Sequence, residues 1–189
     1  MRADKRGAKQ RQGAHRRELA NIESLDICPD CKAALPTVDA DRHPYLGGSA
    51  ACWALYGRLL AKEYGDPAYM RAHRMTVDAY AAQHPGLPEP RTIQSIHVHL
   101  VGLYLTLERR LDADFARKVI ARVTLQKDRL HWLTPPGSLG GVTVADVMAA
   151  ATADDHQAAV TRWACAVWEA WRSHHDEVIA LAKRTLEEL

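Results

Sequence analysis

The chain places a C-x-x-C pair, Cys28-Pro29-Asp30-Cys31, ahead of a third cysteine, Cys52. Two thiolates on one tight turn can converge on a soft cation at about 2.3 Å each. Pro29 and Asp30 are residue types that favour such a turn. Zinc takes four ligands, and His43 and Cys52 complete the pattern C-x2-C-x11-H-x8-C. The segment 26–53 is therefore expected to be a zinc knuckle with Cys28, Cys31, His43 and Cys52 as ligands. Three buried free thiols, or a redox pair, would use the same residues. Thioredoxin-like C-x-x-C motifs, however, sit beside a βαβ pattern, and no strand pattern surrounds this one.

Histidines supply a second set of candidates. At about 100° per residue, His73, Val77, Tyr80 and His84 share one stripe of a helix. Asp78 points elsewhere, as an acceptor behind a ligand or as a solvated charge. On the next long helix, His97 and His99 flank an apolar face of Ile93, Ile96, Leu100, Leu103 and Leu107. Ser95, Gly102 and Thr106 share the stripe of His99 and leave room for a close neighbour. His174 and His175 straddle the stripe Val160, Ala164, Val167, Trp171, Val178 and Ala182, so at least one should point inward. Helix bundles hold catalytic metals with inward ligands from facing helices. The expected second site is thus His73, His99 and His175 around a divalent ion, zinc or iron, with a position open for water. Tyr80 or His84 would move protons there. Each of these histidines also has a plainer reading as a hydrogen-bonded core residue. The two clusters also merge if His84 or His99, instead of His43, completes Cys28, Cys31 and Cys52. His15, His131 and His156 are expected to be solvated, Cys165 to be a plain thiol, and Trp163, Trp168 and Trp171 to be packing residues. The stretch Pro135 to Gly141 lacks the Lys-Ser/Thr ending of a P-loop and reads as a connector or lid. The Glu-x-x-His pairs of di-iron bundles are absent.

Positioning these groups requires helices. Ser49 caps a first helix near Ala51–Tyr64, stopped by Gly65. Asp66 and Pro67 open a second helix that ends at Gln83-His84-Pro85-Gly86. A third spans about Thr92–Arg110, a weaker one Ala113–Asp128, and a short one Val144–Ala151. Thr152, with Asp155 three residues on, caps a last helix running to the C-terminus. No convincing strand is present. The expected fold is all-α, a four-helix-type bundle with an irregular, zinc-stapled N-terminal segment. Residues 22–189 would form one helical domain behind a disordered tail at 1–21.

That tail is basic. Seven Lys/Arg (Arg2, Lys5, Arg6, Lys9, Arg11, Arg16, Arg17) face only Asp4 and Glu18 before residue 20, within a chain of net charge +2. It has no apolar core for a secretory signal, and no run approaches the roughly 20 apolar residues of a membrane span. It also lacks the aromatic interleaving that would favour nucleic acid. A reducing cytoplasm, where thiols bind metals more often than they pair, is the expected location.

In order, Cys28-Pro-Asp-Cys31, His43-Pro-Tyr45, Cys52-Trp53, Val77 to Gly86, His99-Leu100 and Trp163 to His175 resemble a bacterial family of small Cys/His-rich proteins of unknown function. The resemblance covers about residues 25–185 and is most specific at Gln83-His84-Pro85-Gly86 and Trp171 to His175. It implies a relative and no reaction. More loosely, the chain is similar to DinB-like four-helix bundles, some of which hold a metal by three histidines. That analogy implies a metal-dependent hydrolase or transferase and carries its site onto His73, His99 and His175. The reading that follows is a metalloenzyme acting on a small molecule. Its rivals are a non-catalytic zinc-knuckle binding module and a metal or redox sensor.

Overall fold

Short polar side chains set where the helices begin. The structure, a computed structural model, describes residues 24–189; the basic tail expected at 1–21, with His15, lies outside the described residues. Ser49 accepts a hydrogen bond from the backbone N–H of Cys52 and starts α1 (Ala50–Gly65). Asp66 caps α2 (Pro67–Met70), with Pro67 in the first turn. The expected single second helix breaks at Arg71 and Ala72, and α3 (His73–Gln83) follows. Glu89 and Thr92 form a reciprocal cap on α4 (Pro90–Leu107). Asp112 caps α5 (Ala113–Thr124), Thr143 caps α6 (Val144–Met148), and Thr152 caps α7 (Ala153–Ala170). The last expected helix is also broken: a 3-10 turn at Arg172–His174 separates α7 from α8 (His175–Glu187). A side chain satisfying an otherwise unpaired first-turn N–H contributes about 1 kcal/mol, so these caps fix boundaries more than they fix the fold.

The fold is all-α apart from one feature the sequence reading missed. Leu25–Ile27 (β1) and Ala34–Pro36 (β2) pair antiparallel, with Asp26 opposite Leu35. Three-residue strands are too short to show alternation, which is why no strand pattern announces them. Among the described residues, no helix is long and apolar enough to cross a membrane.

Helix α3 lies at the centre, packed on α4 and α7; α4 also meets α5 and α8, and α1 meets α6. The stripe Val160, Ala164, Val167, Trp171, Val178 and Ala182 is buried throughout. Trp163 and Trp171 are buried with their indole N–H groups satisfied, by Gln83 Oε1 at 2.9 Å and the Ala82 carbonyl at 3.0 Å. Truncating such a tryptophan to alanine costs about 3–5 kcal/mol. The same Gln83 donates to the carbonyls of Leu139 and Val142, so the Gly-rich stretch is a connector docked on α3. The end of α3, just before His84, is thereby held from two sides.

Candidate metal centre

The turn between β1 and β2 carries the C-x-x-C. Cys28 N–H donates to the Ala33 carbonyl and Lys32 N–H to the Cys28 carbonyl, at 2.9 and 3.1 Å. Lys32 takes a left-handed backbone, φ 63°, which reverses the chain directly after Cys31. Both thiols then face away from the hairpin and into the bundle. Cys52 reaches them from the first turn of α1. His84 reaches them from the residue that ends α3. Gly48 runs across the top: a Cβ there would stand 2.8 Å from Tyr80 Oη and 3.4 Å from His84 Cδ2. Any larger residue would push the segment off the site.

The four ligand atoms of Cys28, Cys31, Cys52 and His84 all lie within 4.8 Å of one another, and all four residues are buried. Cys31 and Cys52 Sγ are 3.8 Å apart, and Cys52 Sγ is 3.4 Å from His84 Nε2. Tetrahedral zinc with ordinary bond lengths sets about 3.8 Å between two sulfurs and about 3.6 Å between sulfur and nitrogen. His84 Nδ1 donates to the Tyr80 carbonyl at 2.7 Å, which aims Nε2 at the thiols. A carbonyl behind a ligating imidazole is the usual way its ring is oriented toward a metal. The cluster can hold a metal ion.

Its electrostatics point the same way. Hydrogen bonds from Cys31 and Cys52 push the Cys28 thiol far down, while Cys28 and Cys31 push Cys52 far up. Burial alone would lower His84, but its contacts with Cys28 and Cys31 outweigh that and raise it to about 9. Asp30, between the two cysteines, is pushed up by its burial. Without a cation, the Cys28 thiolate and the His84 imidazolium offset each other, so Cys52 and His84 keep their protons. A bound dication lets all three sulfurs ionise and releases those protons. Tyr80 closes the shell: its hydroxyl donates to Cys52 Sγ at 3.7 Å and its ring stacks on His84 and Tyr56. Burial pushes its phenol well up, so it stays protonated.

The expected fourth ligand was His43; the structure brings His84 instead. His43 Nδ1 accepts from the backbone N–H groups of Leu46 and Tyr45 at 2.9 and 3.3 Å, and its ring packs edge-on against Tyr45 and Trp53. It orders the loop that covers the centre. Tyr80 and His84, expected to move protons, stand at this centre instead, Tyr80 beside Cys52 and His84 as the fourth member of the group.

The histidines expected at a second metal are apart. His73 Nδ1 lies 2.8 Å from Glu63 Oε2, and its Nε2 lies 3.1 Å from Tyr64 Oη. His99 Nδ1 donates to Asp78 Oδ1 at 2.8 Å. His175 Nε2 donates to the Trp168 carbonyl at 2.8 Å and its ring stacks on Trp168. Val178 and Ala182, beyond the break before α8, stay on the buried stripe, and His175 turns to the backbone of α7 instead. His156, expected in solvent, is fully buried with Nε2 3.0 Å from Glu63 Oε1. Asp78 is also buried, gripped by Arg74 at 2.7 and 2.8 Å. The close approach that Gly102 allows is to this carboxylate, since a Cβ there would stand 2.3 Å from Asp78 Oδ2. Among the described residues, the cysteine centre is the one group of three or more such side chains whose ligand atoms all lie within 4.8 Å of one another. Cys165, expected to be a plain thiol, is a free and exposed cysteine.

No curated protein and no solved structure matches the chain. The model of a family of unknown function, DUF5946, matches residues 26–172. That stretch takes in Cys28, Cys31, Cys52 and His84, and with most of its length matched the chain belongs to this family.

Proposed function

We propose that the protein is a zinc-stapled helical module in which Cys28, Cys31, Cys52 and His84 hold one structural zinc ion. The observation that carries this reading is the buried convergence of three sulfurs and one oriented imidazole within 4.8 Å. Soft thiolates with one imidazole select zinc among the available divalent ions. Four protein ligands leave no open position, which is the pattern of structural and not of catalytic zinc. The ligands come from the hairpin, the start of α1 and the end of α3. Zinc would thus fasten three separate segments of the chain at one point.

This favours the binding-module reading over a hydrolase or transferase. The enzyme reading needs a water-bearing metal on inward histidines, and the ligand atoms of His73, His99 and His175 do not all lie within 4.8 Å of one another. A redox sensor needs oxidant to reach the thiols, and Cys28 and Cys52 have no exposed surface.

Metal analysis of untagged protein, purified without chelators, tests the proposal. It should show about one zinc per chain, lost in Cys52→Ser and in His84→Ala. Metal-free protein with an unchanged melting curve on zinc addition would overturn it. Because binding displaces protons, including the one His84 holds below about pH 9, affinity should rise with pH by about tenfold per unit for each proton released.

A further inference from the structure

Away from the cysteines, three Lewis bases face one another where α4, the loop after α5 and the start of α8 meet. His97 on α4 is almost fully buried, its side chain 2% exposed. Its Nδ1 donates to the Ile93 carbonyl at 2.9 Å, leaving Nε2 as the free ring nitrogen. That atom faces Glu177 Oε1 at 3.8 Å, beyond hydrogen-bond range. The same oxygen lies 3.1 Å from His131 Nε2. Burial holds the His97 pKa below its ordinary value, so near neutral pH the ring carries its single proton on Nδ1. Nε2 then presents its lone pair 3.8 Å from a carboxylate oxygen. His84 is prepared for its cation by the same device, a backbone carbonyl four residues back on the helix.

We propose that His97, His131 and Glu177 form a second, solvent-facing site for a divalent transition-metal ion. Two imidazoles and one carboxylate suit zinc, iron(II), cobalt or nickel. With bonds near 2.1 Å, ligand nitrogen and oxygen on one ion stand about 3.0–3.4 Å apart. The His131–Glu177 separation falls in that range, His97 needs an approach of about half an ångström to Glu177, and the two imidazole nitrogens, more than 4.8 Å apart, must close by over an ångström. The two imidazole centroids are 6.0 Å apart, and a shared ion draws them to about 5 Å at a tetrahedral angle. His131 can make that movement, because its side chain is 66% exposed. Glu177 is 39% exposed, so coordination positions remain for water or a ligand, as in open metal sites. Glu177 lies beyond the matched residues 26–172, so the site is read from this chain alone. It shares no residue with the cysteine centre and does not depend on that centre being right.

The test is cobalt(II) titration of full-length, untagged protein supplied with one equivalent of zinc, followed by absorption and calorimetry. One cobalt should bind per chain without thiolate charge-transfer absorption. His131→Ala at an exposed position and Glu177→Gln at a half-buried one should each weaken that binding at least tenfold while leaving the melting curve in place. Cobalt bound only with thiolate absorption, cobalt affinity unchanged in both variants, or no cobalt bound below millimolar concentration would each overturn the proposal. Failure of the cysteine reading would show separately, as absence of zinc in the starting protein.

Discussion

Two kinds of buried cluster in this bundle use histidine beside acidic or thiol groups, and they differ in how their polar atoms are spent. Around Glu63, Oε2 takes His73 Nδ1 at 2.8 Å, and Oε1 takes Thr76 Oγ1 and His156 Nε2 at 2.5 and 3.0 Å. Around Asp78, both oxygens take the Arg74 guanidinium, and Oδ1 also takes His99. Every carboxylate oxygen there has a donor, so nothing is left for a cation. At Cys28, Cys31, Cys52 and His84, four donor atoms face one another instead. Residue type does not separate a metal centre from a polar clasp. The separation lies in whether the acceptors already have protons to accept.

The largest expected effect comes from breaking the cysteine centre. Structural zinc contributes an apparent binding free energy of about 10–16 kcal/mol in small zinc domains, and a whole domain is stable by only about 5–15 kcal/mol. Cys28→Ser, Cys52→Ser and His84→Ala should each lose about one zinc per chain and drop the melting temperature more than any other single change considered. Metal content and thermal melts read both. Full zinc retention in all three variants would erase the distinction between the two regions.

The next effect should be large in stability and absent in metal. Glu63→Ala leaves Thr76, His73 and His156 without their shared acceptor, and each buried donor left unpaired costs about 1–3 kcal/mol. Zinc content should stay at one per chain. Joint loss of stability and zinc would show that the clasp between α1, α3 and α7 also holds the metal centre together.

How much of this the sequence discloses follows from local rules. Caps at Ser49, Asp66 and Thr152 are readable because one side chain and its nearest backbone decide them. The C-x-x-C and Cys52 are readable because two ligands share a turn and the third sits at a helix start. The choice of His84 over His43 is not local. It depends on α3 returning its last turn to the hairpin, and its signal, a histidine at a helix end before Pro85, competes with nine other histidines. The breaks at Arg71–Ala72 and Arg172–His174 leave no Gly or Pro to mark them. His175 is placed by the Trp168 carbonyl, seven residues back across the second break, a partner that the stripe does not disclose. The acidic partners of His73 and His99 lie ten and 21 residues away, too far for any helical register to disclose.

A smaller effect should come from Tyr80→Phe. The hydroxyl reaches Cys52 Sγ at 3.7 Å, a long contact even to sulfur. Groups behind metal ligands typically alter affinity by about 10–100-fold, and this contact belongs at or below the low end. The variant should keep its zinc and its fold, and should give zinc up to a competing chelator several-fold faster. An unchanged rate would mean that the thiolates are shielded by burial alone.

The smallest expected effect sharpens the comparison most, because it separates the two candidates for the fourth ligand. His43→Ala removes an imidazole that accepts from two backbone N–H groups and packs between Tyr45 and Trp53. Those N–H groups belong to a part-buried loop and can turn to water, so the loss should be about 1 kcal/mol, the net value of an ordinary hydrogen bond. Zinc should remain at one per chain, and a cobalt-substituted sample should keep the same thiolate absorption as the parent. His84→Ala should change both. If His43→Ala loses zinc while His84→Ala retains it, the loop carrying His43 must refold over the cysteines, and α3 would then only buttress the centre.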